Sequence, residues 1–100
     1  MTSPDAAARL PRPRDVAMFR SPQLWLTWPF LPVIRDAPGG GRQLGVLYDA
    51  FHATGRCGYT ATVWLTNIFL LPDDEEALLA LPHVAYDTVE EMAADGWTVD

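Results

Sequence analysis

Asp49, His52 and Cys57 are the side chains whose types and closeness suggest chemistry. A carboxylate that orients an imidazole, which then deprotonates a thiol, is the arrangement of a nucleophilic catalyst. The spacing works against it. If LGVLYDAF, residues 44–51, is a strand, Asp49 and His52 project from opposite faces and can pair only if the strand ends before Ala50. Cys57 lies between Arg56 and Gly58, where the guanidinium and loop N–H groups favour a thiolate, but the sequence places no histidine to serve it. Asp49 then reads as a residue that bonds a loop N–H and His52 as an ordinary loop residue, so no catalytic set is expected.

The other motifs resolve into local structure. One cysteine with His52 and His83 offers neither a paired spacing nor four ligands, so no metal and no cofactor is expected. PGGGR at 38–42 lacks the GK[ST] ending of a phosphate loop and leads into a strand, which makes it a turn. PFLP at 29–32 has bulky apolar residues inside a strand-like run and reads as packing at a sheet edge. The acidic run Asp73, Asp74, Glu75, Glu76 has neither the spacing nor the glycine of a calcium loop. It fits a helix start, with Asp73 as N-cap and Glu76 closing a D-x-x-E capping box.

These residues need elements to position them, and hydrophobic patterning supplies an α+β scheme. LWLTWPFLPVIR, 24–35, alternates with both sides apolar, while Pro29 and Pro32, which cannot donate to a ladder, put the segment at an edge or a bulge. DAPGGGRQ turns the chain into the second strand, 44–51. HATGRCG is a loop, and YTATVWLTNIFLL, 59–71, reads as one long third strand. On it Tyr59, Ala61, Val63, Leu65 and Phe69 share the core face, which leaves Trp64 among threonines on the other. Two short helices follow: one from Asp73 to Pro82, and one with Asp87 as N-cap and Gly96 as a left-handed stop beside Trp97. The expected fold is an antiparallel β-meander of three main strands, with room for a short fourth, and two short C-terminal helices packed on one face. Residues 1–22, rich in Pro, Arg and Ala and without apolar periodicity, are expected to be a flexible tail before a single domain at 23–100. Met18 is a second candidate for the start of translation.

Composition bounds the partners. All seven basic residues are arginine, which reads as coding bias rather than as guanidinium chemistry. Six of them stand against Asp5, Asp15 and Asp36 in residues 1–42, net +3. Arg56 stands alone against ten acids in 43–100, net −9, and together the two halves give −6. An acidic globular half repels phosphate, so duplex nucleic acid is not an expected partner. The apolar run Leu24–Ile34 is 11 residues long against the roughly 20 a spanning helix needs, so no membrane is expected. A lone cysteine and the absence of a small-x-small cleavage pattern fit a cytoplasmic protein.

Four tryptophans are dense for a chain of 100 residues. Trp25 and Trp64, with Thr27, Thr60 and Thr62, are the expected interaction surface, since tryptophan offers large rigid area with one polar handle. Two functions follow. The first is a non-enzymatic, acidic interaction or accessory module acting through that surface and an edge strand, with a basic protein partner or through self-association. The second is a small enzyme or ligand-binding domain for a small molecule, with its site near Asp49, His52 and Cys57.

Overall fold

The computed structural model describes residues 12–100. Its centre is an antiparallel sheet of five strands: β1 (Phe30–Asp36), β2 (Arg42–Tyr48), β3 (Thr62–Trp64), β4 (His83–Ala85) and β5 (Thr98–Val99), in the order β4-β3-β2-β1-β5. The meander therefore holds and runs to four strands, with β5 returning to the outer side of β1. Register pairs Leu31 with Leu47, Val33 with Gly45, Leu47 with Val63 and Val46 with Trp64. Directly opposed residues share a face, so two apolar sets form on opposite sides of the sheet.

Both sets are covered, because the helices divide between the faces and do not share one. Helix α1 (Pro13–Phe19) and helix α4 (Val89–Ala94) bring Phe19, Val89, Met92 and Ala93 against Leu31, Val33, Leu47 and Val63, with Trp25 and Trp97 in the same layer. On the other face, helix α3 (Glu75–Leu79) brings Leu78 against Val46, Tyr48 and Trp64. Ala50 of the short helix α2 (Ala50–Thr54) joins that layer. Helix α1 lies within the stretch expected to be a loose tail. Pro13 occupies the first turn, where its missing N–H costs nothing, and Val16 and Phe19, three apart, turn one side to the core. The rest of that tail, residues 1–11, lies outside the described residues.

Strand limits depart from the alternation pattern in each of the three main strands, and β2 runs 42–48 where 44–51 is expected. Residues 22–24 form a 3₁₀ turn and 26–29 a further turn, so β1 starts only at Phe30. It is second from the edge, with β5 pairing at Val33 and Ile34. Pro32 accepts from the Asp100 N–H on the β5 side, so its missing donor takes nothing from the β1–β2 ladder. The long strand expected over 59–71 is three residues long. Ala61 sits at φ 56°, a left-handed turn that delays β3, and after Trp64 the chain leaves the sheet for a 3₁₀ turn at Ile68–Leu70 capped by Asn67.

The caps fall one residue later than the spacing suggests. Asp74 accepts from the Glu76 N–H at the start of α3. At α4, Thr88 accepts from the Glu91 N–H while the Glu91 carboxylate reaches back to the Asp87 N–H. Gly96 is left-handed at φ 99°, as expected, and carries the chain into Trp97. The Trp97 indole donates to Tyr86 Oη at 3.0 Å, Tyr86 donates to Asp95, and Arg35 bonds Asp95 at 2.6 Å while stacking 4.6 Å over the Trp97 ring. Burial and the Asp95 carboxylate together raise the pKa of Tyr86. No helix among the described residues is long and apolar enough to cross a membrane.

Candidate functional site

The expected tryptophan surface does not exist as a surface. Trp64 is 0% exposed in the layer beneath α3, with its indole N–H unpaired among the described residues, and Trp25 is 7% exposed, donating to the Met18 carbonyl at 2.8 Å. Thr62 is buried with them, while Thr27 and Thr60 are exposed. The reason is the two-sided sheet: α3 covers the face that carries Thr62 and Trp64, and α1 with α4 covers Trp25.

Asp49 and His52 do come together. The strand ends at Tyr48, Asp49 is the N-cap of α2, and Gly55 at φ 79° closes the helix one turn later. The three-residue spacing that opposes side chains on a strand aligns them on a helix start. His52 Nδ1 lies 2.9 and 3.0 Å from the two Asp49 carboxylate oxygens, and the Trp28 indole donates to Oδ2 at 2.9 Å. An ionised carboxylate only accepts, so Nδ1 donates to Asp49 and Nε2 is the ring nitrogen turned away from it. Among the described residues nothing pairs with Nε2. The Asp49 side chain is buried and His52 is exposed, so the pair is anchored from inside and offered to solvent.

The pair stands beside a cleft of about 500 Å³ at the end of the sheet, whose walls include Trp25, Tyr48, Phe51, Tyr59 and Ala61. Cys57 lines the same cleft and is exposed, in the irregular stretch after α2. No hydrogen bond joins it to His52 among the described residues. The loop before β1 exposes Leu24, Leu26 and Trp28, with Leu26 fully open to solvent, and α2 adds Phe51. Gln23 and Trp28 border a second hollow that opens on Asp49 and His52.

A second polar cluster braces the cleft from below. Glu75, at the start of α3, accepts from Tyr48 Oη and from Arg56 Nε, tying β2, α3 and the segment after α2 to one carboxylate. The Tyr48 hydrogen bond, with Arg56, lowers the pKa of Glu75. Burial and the Glu75 carboxylate raise that of Tyr48, and the same carboxylate raises that of Arg56. Among the described residues no group of three His, Cys, Asp or Glu side chains is placed to hold a metal ion. No protein-family model, no curated protein and no solved structure matches this chain.

Sequence reasoning named Asp49 and His52 but set their pairing aside on the expectation of a strand running to Phe51, although the signal for its earlier end was present. D-A-F-H-A-T-G carries an N-cap aspartate and a stop glycine around one helical turn. Trp28, the third member, lies 21 residues away and has no local signature.

Proposed function

We propose that the protein is a non-enzymatic binding module whose working face is the cleft around Asp49 and His52, with the apolar loop 24–28 and Phe51 at its rim. One observation carries this reading. The Asp49 carboxylate holds Trp28 and His52 at once, so an exposed indole and an imidazole whose Nε2 is unpaired among the described residues are preorganised side by side on the wall of one hollow. Such a face suits a ligand with an apolar body and a polar group that hydrogen-bonds Nε2.

The test is a fragment screen read by amide NMR shifts, with hits expected to move residues 25–28 and 49–60. His52→Ala and Asp49→Asn are expected to weaken those hits about tenfold, the loss of one oriented hydrogen bond. Asparagine still caps α2 but sets an amide N–H against one of the donors that Asp49 accepts from, so Asp49→Asn should lower the melting temperature while the protein stays folded. Hits scattered over the surface, or unaffected by both substitutions, would refute the reading.

A small enzyme at the same place is the second reading, favoured by the Nδ1 bond to Asp49, which is the geometry of an oriented general base. It requires turnover of an activated ester faster than free imidazole achieves, lost in His52→Ala. Binding without turnover leaves the module.

A further inference from the structure

The 3₁₀ turn at Ile68–Leu70 presents two large apolar side chains that the fold does not use. Ile68 and Leu71 pack against the layer of Val46 and Trp64, whereas Phe69 and Leu70, between them, are 88% and 73% exposed. The turn is held firmly: the Asn67 side chain accepts from the Phe69 N–H at 2.9 Å, and the Asn67 carbonyl accepts from the Leu70 N–H at 2.9 Å. Scattered surface leucines are ordinary, but an adjacent pair fixed outward on a capped turn is a preformed contact.

Its electrostatic setting selects the partner. Pro72 leads directly from the turn into Asp73, Asp74, Glu75 and Glu76. Of these only Glu75 meets a cation, Arg56, among the described residues, and Asp73, Asp74 and Glu76 are exposed. None of Phe69, Leu70, Asp73 or Asp74 lines the cleft beside His52.

We propose that this tip is a docking surface for a positively charged protein segment that carries apolar side chains, with Phe69 and Leu70 as anchors and the three exposed carboxylates as the complementary rim. The apolar pair supplies the contact that desolvates, and the carboxylates set orientation and reject acidic segments. The surface is independent of the cleft.

Fluorescence anisotropy with a labelled peptide of alternating arginine and leucine tests it, beside one peptide with glutamate replacing arginine and another with serine replacing leucine. The intact protein is expected to bind only the first. Phe69→Ser with Leu70→Ser should weaken that binding about tenfold or more, as loss of anchor residues does. Asp73→Asn with Asp74→Asn and Glu76→Gln should weaken it comparably, and the affinity should fall with salt as charge screening shortens to a few ångströms. His52→Ala should leave it unchanged, which separates this surface from the cleft. Circular dichroism checks that the variants fold, as substitutions at exposed positions should. The inference is overturned if the arginine–leucine peptide does not bind, if the serine peptide binds equally well, or if either set of substitutions leaves the affinity intact. It is also overturned if sedimentation shows a dimer of this chain that the Phe69 and Leu70 substitutions abolish, which would make a second copy the occupant.

Discussion

Burial decides what each tryptophan can do, and at Trp64 it decides against recognition. A fully enclosed indole among Val46, Tyr48 and Leu78 carries packing energy. Trp64→Ser should therefore destabilise the protein severely, removing about 3–5 kcal/mol from a domain whose whole stability is about 5–15 kcal/mol. Trp64→Phe keeps an aromatic ring and deletes an N–H that has no partner among the described residues, so it should cost clearly less. Urea denaturation of the two variants measures the difference, and a Trp64→Ser protein as stable as the parent would contradict the packing described. At this scale the sequence was readable in type and not in place. Alternation correctly set Val63 against Thr62 and Trp64, but whether the second face meets solvent depends on α3, which is more than ten residues further along the chain. Asp49 and His52 show the converse: their identities stood out, and only the end of β2 at Tyr48 determined that they meet.

Short elements were the hardest to read and the most consequential. Helix α2 spans five residues and β3 three, lengths over which apolar periodicity has too few repeats to register. Capping chemistry survived better: the two acidic helix starts were legible to within one residue, and Gly96 as the stop of α4 was legible outright, because these signals need only one or two positions. Gly45 illustrates a requirement visible only in the assembled sheet. A Cβ built there would come within 2.5 Å of Val63 Cγ1 and 3.0 Å of the Trp97 ring, so the indole lies across a strand position that must stay bare. Gly45→Ala should lower stability by about 1–3 kcal/mol through forced displacement of the core, measured as a drop in denaturation midpoint at constant slope.

For the whole molecule, the polar clusters predict how stability follows pH. The Glu75 pKa is lowered in the folded state, so its contribution is present above the ordinary glutamate value of about 4.3 and is lost as pH falls through the folded value. The pKa values of Tyr48 and Tyr86 are raised, so theirs is present below the ordinary tyrosine value of about 10 and is lost as pH rises through the folded values. Melting temperature should thus show a plateau between the two limits, with the acid limb shallower in Glu75→Gln. An unchanged acid limb in that variant would remove Glu75 from the account. The arrangement of four indoles has an optical consequence. Trp25, Trp64 and Trp97 are shielded from water, whereas Trp28 is 47% exposed and bonded to the carboxylate that holds His52. Iodide in solution can thus reach one emitter in four, and that emitter borders the hollow that opens on Asp49 and His52, so the chain carries its own fluorescent gauge of whatever settles there.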